Sequence, residues 1–244
     1  MENKGYEFQK DGHTHYFDGK KMTGITTVLS VIAKPALISW AVNEAIKSVN
    51  EEWKPDVSYS EEAIKIILDK AKIAHRNKKE EAGQKGTDVH DIIEKLIKLA
   101  IKNDNGFIEP VINEEKQIQH FINWAVKNKV RFLGSENNIF SEKLWLGGIC
   151  DFVCEIDDEV WIGDIKTGSG IYPEHFFQMA GYQILFQEMG LHPNIKGHLI
   201  LNLKKDGTFA EKRSVSNEDN KNAFLSALNL YGMIEKINGQ IINK

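Results

Sequence analysis

Gly147-Gly148-Ile149-Cys150-Asp151, followed by Gly163-Asp164-Ile165-Lys166-Thr167-Gly168, is the stretch that decides how the chain is read. It predicts two strands, about Leu146 to Ile156 and Val160 to Lys166, with Asp157-Asp158-Glu159 as the turn between them. Side chains alternate faces along a strand, so Asp164 and Lys166 point the same way. Their neighbours Trp161, Ile162 and Ile165 are apolar, and an acid and a lysine are costly to bury among such residues without a purpose. Asp151 lies thirteen positions before Asp164, which suits adjacent antiparallel strands. Two carboxylates and an ammonium then converge on one sheet, and carboxylate oxygens are hard donors suited to Mg²⁺ or Mn²⁺. An isolated D-x-K pair is ordinarily a surface ion pair on a hairpin, so the weight rests on the rest of the chain.

At 244 residues and 41% hydrophobic, the chain can bury a real core, and its composition argues against disorder. The net charge of −4 and pI of about 6.1 argue against a protein that coats nucleic acid non-specifically. Any DNA binding must therefore use local basic patches or metal ions. The two cysteines, Cys150 and Cys154, are too few to complete a metal cluster. Their spacing of four places both on one strand face, opposite Asp151, as small core residues suited to a reducing cytoplasm. The N-terminus opens no signal peptide, and no apolar run is long enough to span a membrane.

Upstream, Tyr6 to Lys21 alternates around Asp11-Gly12 and Asp18-Gly19 and predicts a small hairpin. His13 and His15 read as paired surface histidines there. After Pro35, a helix with Leu37, Trp40, Ala41 and Ala45 inward is expected. Ser60 then caps a helix with Ile64, Ile67, Leu68, Ala71 and Ala74 as its stripe; its charged end, Arg76, Lys78, Lys79, Glu80 and Glu81, is ordinarily a solvated face and could also, with Lys85, carry a phosphate-tracking patch. Thr87 is the expected N-cap of a separate helix that carries His90 on its buried face, with Ile93 and Ile97. Glu114 to Lys129 reads as an amphipathic helix, and Arg131 to Ser141 as a strand bearing Glu136, with Glu142 just after it. Pro173 opens a helix on which Gln178 and Tyr182 share a face and Gly181 permits a close approach. A hairpin from His198 to Val215, turning at Lys205-Asp206-Gly207, and a helix capped by Ser216 close the chain.

Taken in order, Gly86-x-x-x-His90, a Glu-bearing strand, Gly148-x-x-Asp151, Asp164-Ile165-Lys166-Thr167-Gly168 and Gln178-x-x-x-Tyr182 resemble the RecB-like branch of the PD-(D/E)XK nucleases. Within it the pattern is similar to phage-type exonucleases and the mitochondrial genome maintenance exonuclease. Cys150 stands where many members have proline. The resemblance implies an α/β fold with a restriction-endonuclease-like core: a central mixed β-sheet flanked by helices, with a helical N-terminal part. It implies a single nuclease domain over 1–244, in which 1–85 forms an N-terminal hairpin and helical wall and 86–244 the catalytic core. It implies an Mg²⁺- or Mn²⁺-dependent deoxyribonuclease, an exonuclease acting on DNA ends or single strands, in the cytoplasm of a bacterial or phage-infected cell. His90, Asp151, Asp164 and the carbonyl of Ile165 would hold one or two ions, and Lys166 would serve the attacking water. Glu136, Thr167, Gln178, Tyr182, Arg76 and Lys85 would support the site or touch DNA. The four cysteines of an iron–sulfur cluster are absent, so none is expected. The alternative kept open is a catalytically silent, nuclease-like DNA-binding module.

Overall fold

The structure, a computed structural model, describes residues 5–103 and 105–240, the side chain of residue 85 excepted. The chain divides into two compact units, Met1–Ile32 with Val89–Lys244, and Ala33–Asp88.

The larger unit is built on a mixed sheet. Its strands are β1 (Tyr6–Gln9), β2 (Thr14–Phe17), β3 (Lys20–Gly24), β4 (Arg131–Ser141), β5 (Leu146–Ile156), β6 (Glu159–Lys166), β7 (Ile195–Leu203) and β8 (Phe209–Ser214). They run in the order β1-β2-β3-β5-β6-β7-β8, with β4 paired to β5. The β3–β5 and β6–β7 pairs are parallel and the others antiparallel. The β5–β6 hairpin turns on Asp157 and Asp158, with φ of 52° and 62°, the left-handed pair that a tight two-residue hairpin requires. The N-terminal segment forms a three-stranded meander. There His13 is an exposed turn residue at φ 49°, whereas His15 is 7% exposed and bonded through Nδ1 to the Tyr6 hydroxyl at 2.7 Å. The expected pair of surface histidines is thus one turn residue and one core residue.

Helices cover both sheet faces, as the sequence predicts. On one side α3 (Glu61–Lys102), through Val89, Ile93 and Ile97, and α4 (Lys116–Lys127), through Ile118, Phe121 and Trp124, pack with Phe152, Cys154, Ile165, Leu199 and Leu201. On the other, α1 (Ile25–Val28), α5 (Pro173–Glu188) and α6 (Asn217–Asn238) pack with Cys150, Val153, Ile162 and Ile200. A Cβ at Gly181 would lie 2.9 Å from the Phe224 ring, so only glycine lets α5 approach α6 this closely.

The cysteines depart from expectation. Cys150 and Cys154 fall on opposite sides of the sheet, because the alternation of β5 changes parity between Cys150 and Phe152. The change occurs at Asp151, opposite Glu136, whose φ of +48° is a left-handed value unusual for a non-glycine residue.

The smaller unit consists of α2 (Pro35–Glu52) and the leading part of α3. No residue of α2 is buried, and Leu37 is 54% exposed, so the predicted inward stripe is not a core here. Of the stripe expected downstream, Ile67 and Ala71 are buried but Ile64 and Leu68 are exposed. Ser60 accepts the Ala63 N–H as a cap should. The second helix start expected at Thr87 does not exist. α3 runs unbroken for 42 residues, and the Thr87 hydroxyl bonds back to the carbonyl of Gly83, a mid-helix habit. Among the described residues no single helix is long and apolar enough to cross a membrane.

Candidate metal centre

The site forms where the β5–β6 ladder gives way to side chains. The ladder pairs Phe152 with Gly163, so the next pair in register would be Asp151 and Asp164. Instead the backbone N–H of Ile165 donates to Asp151 Oδ2 at 2.7 Å. The parity change of β5 thus turns the Asp151 carboxylate onto the backbone of β6. Gly148, three positions before Asp151, lets the Tyr182 ring pack against β5, since a Cβ there would lie 2.7 Å from that ring.

His90 reaches the same point from α3. Its Nε2 lies 2.9 Å from the Ile165 carbonyl oxygen and 3.4 Å from Asp151 Oδ2. In an octahedral site with donors about 2.1 Å from the ion, neighbouring donors stand about 3 Å apart. The two separations from His90 Nε2 are of that order, and a set of imidazole nitrogen, carboxylate oxygen and peptide oxygen suits Mn²⁺ or Mg²⁺. Among the described residues no three His, Cys, Asp or Glu side chains stand together as a ready-made cluster. The third donor here is a backbone carbonyl, and the Asp164 carboxylate is turned to Lys166.

That pair lies on the α5 side of β6. Lys166 Nζ is 2.6 Å from Asp164 Oδ2, an ion pair at contact distance. Nζ also donates to Gln178 Oε1 at 3.4 Å, and Gln178 Nε2 donates to the Tyr182 hydroxyl at 2.7 Å. Gln178 and Tyr182 are 9% and 4% exposed, so this row of polar groups is internal.

Burial pushes the Asp164 carboxyl up to about 6, against the pull of Lys166 and with the help of Asp151. Burial acts on Asp151 too, but the His90 contact, the Lys166 charge and the Ile165 N–H outweigh it and hold that carboxyl below its usual range. For Lys166, burial opposes the charge, and the Asp164 and Asp151 carboxylates more than restore it. Glu136 is pushed up to about 7, by burial first and then by Asp151 and Glu94, against the opposing charges of His90 and Lys98.

The two candidate glutamates are thereby told apart: Glu136 shares the field of Asp151 and His90, while Glu142 is exposed after β4. Thr167 begins the loop after β6, half-buried. Arg76 is exposed on α3 in the smaller unit, and the side chain of Lys85 lies outside the described residues. Glu94 escaped the sequence reading. It follows His90 by four positions on the same helix face, a spacing that could have revealed it, and it is ion-paired to Lys98.

No protein-family model and no curated protein sequence matches the chain. Solved structures are similar at low scores, two of them as follows. One is SSO0001, at TM-score 0.34 and 12% identity, covering 80% of this chain and 86% of that one. The other is an alkaline exonuclease from Laribacter hongkongensis, at TM-score 0.29 and 14% identity, covering 54% of this chain and 78% of that one. At these scores neither likeness bears on the chemistry of this chain.

Proposed function

We propose that the chain is a metal-dependent deoxyribonuclease, an exonuclease that hydrolyses phosphodiester bonds at DNA ends or in single strands. The observation that carries this reading is the convergence of His90 Nε2, Asp151 Oδ2 and the Ile165 carbonyl beside the ion pair of a buried Asp164 with a half-buried Lys166. His90, Asp151, Asp164 and the Ile165 carbonyl would hold Mg²⁺ or Mn²⁺. Such an ion supplies charge neutralisation at the phosphodiester and a bound water of lowered pKa. Lys166 offsets charge on the phosphate and orients the attacking water. Gln178, held by Tyr182, contacts the Lys166 ammonium, and Glu136 supports the site beside Asp151. Two buried free thiols suit a reducing cytoplasm.

The test is cleavage of end-labelled single- and double-stranded DNA with Mg²⁺, with Mn²⁺ and with chelator. Metal-dependent release of nucleotides from an end is expected. DNA retained but uncut under every condition would instead favour the silent binding module, and neither binding nor cleavage would overturn the reading.

A further inference from the structure

Asn202 is the anomaly on the face of the sheet that carries Asp164 and Lys166. It is fully buried, and neither its amide nitrogen nor its amide oxygen has a hydrogen-bond partner. Leaving a buried amide unpaired is costly, whereas an apolar residue of the same shape would cost nothing. Its neighbours on that face of β7 follow the rule. His198 is bonded to Gln183 at 3.0 Å, and Ile200 is apolar.

The register says what Asn202 stands beside. In the parallel β6–β7 ladder its Cα partner is Lys166, just as Ile200 partners Asp164. Cα partners leave the sheet on the same face, and neighbouring strands lie about 4.8 Å apart, within reach of a lysine stem. Lys166 thus contacts Asp164 and, at a long 3.4 Å, Gln178, and stands beside Asn202, which holds an unused acceptor.

We propose that Asn202 is a positioning residue that gives the Lys166 ammonium a second seat. This rests on the nuclease reading above. An ammonium 2.6 Å from Asp164 Oδ2 competes with any cation that uses that carboxylate. For Asp164 to serve as a ligand, Lys166 Nζ must turn away, and an ammonium whose side chain is only 23% exposed and whose Gln178 contact is long, at 3.4 Å, needs another acceptor. The amide oxygen of Asn202, one strand over in register, provides it. The amide that is unpaired here then becomes a paired one once a cation is bound, and the ammonium stays next to the reacting phosphate.

The experiment measures Mn²⁺ affinity without DNA, by calorimetry or by the electron paramagnetic resonance of free Mn²⁺, alongside melting in chelator. Asn202→Leu should melt at or above the wild-type temperature in chelator, because an unpaired amide is removed, and should bind Mn²⁺ about tenfold more weakly. On a Lys166→Ala background the same substitution should cost no affinity, because there is no ammonium to reseat. Asn202→Ala serves in the same cycle if the leucine variant does not fold. Wild-type Mn²⁺ affinity in the Asn202 variants overturns the proposal, as does an equal loss with and without Lys166. A wild-type protein that binds no Mn²⁺ overturns the metal-centre reading itself, and this inference with it.

Discussion

Asp151 and Asp164 occupy one site yet experience opposite fields. The first is held below the usual carboxylate range and the second pushed up to about 6. Both should be needed for cleavage, so Asp151→Asn, Asp164→Asn and Lys166→Ala are each expected to lower the rate by about 10²-fold or more, the scale of losing one charge-stabilising group. A Lys166→Ala protein cleaving at the wild-type rate would refute the mechanism. Their effects on stability should differ. At pH 7 in chelator, Asp164→Asn removes an ionised group that the fold disfavours and should leave the protein at least as stable as wild type. Asp151→Asn removes one that the fold favours and should lower the melting temperature. Melting both in the same direction by the same amount would contradict the assigned fields. His90→Ala should keep the fold and lose activity together with Mn²⁺ affinity, and full activity in that variant would return His90 to the core.

The elements were legible to different depths. β4, β5 and β6 lie almost where alternation and turn residues place them, because a period of two and an Asp-Asp turn are local signals. The parity change at Asp151 was not legible, since it depends on Glu136 of another strand adopting a left-handed backbone. Nor was the continuity of α3. Gly83 and Gly86 weaken a helix by about 1 kcal/mol each relative to alanine, and what carries the helix past them is burial of Val89, Ile93 and Ile97, a tertiary effect. The motif residues could be named from their spacing, but Asn202 could not, because only the β6–β7 register puts it beside Lys166. The α5–β7–α6 layer carries its own prediction. His198 is fully buried between Gln183 and Asn220, and burial, then Lys221, pulls its pKa down to about 4. The unfolded imidazole titrates near 6.5, so the unfolded chain binds the extra proton between these values. The stability His198 contributes is full above about pH 6.5 and lost as pH falls toward 4, on the order of 3 kcal/mol across that window. Glu136 and Asp164, both raised, act in the opposite sense, so the comparison must be with His198→Gln. Urea unfolding at pH 7 and pH 4.5 should show a smaller acid loss in the variant, and equal losses would exclude His198 as the source.

Over the whole chain the net charge is negative, yet the proposed substrate is a polyanion. Binding must then rest on a local basic path such as Arg76, Lys78 and Lys79, and affinity for DNA should fall steeply between 50 and 200 mM salt, roughly in proportion to the phosphates neutralised. An affinity indifferent to salt would exclude that path. The change of parity along β5 has a practical consequence of another kind. It leaves one free thiol in each half of the core, Cys150 among α1, α5 and α6, and Cys154 among α3 and α4. Burial raises both above the ordinary thiol range, so each is inert until its own layer opens. Two single-cysteine proteins, treated with a thiol reagent over time, would clock the breathing of each half of the molecule separately, and would tell which one a bound ion holds shut.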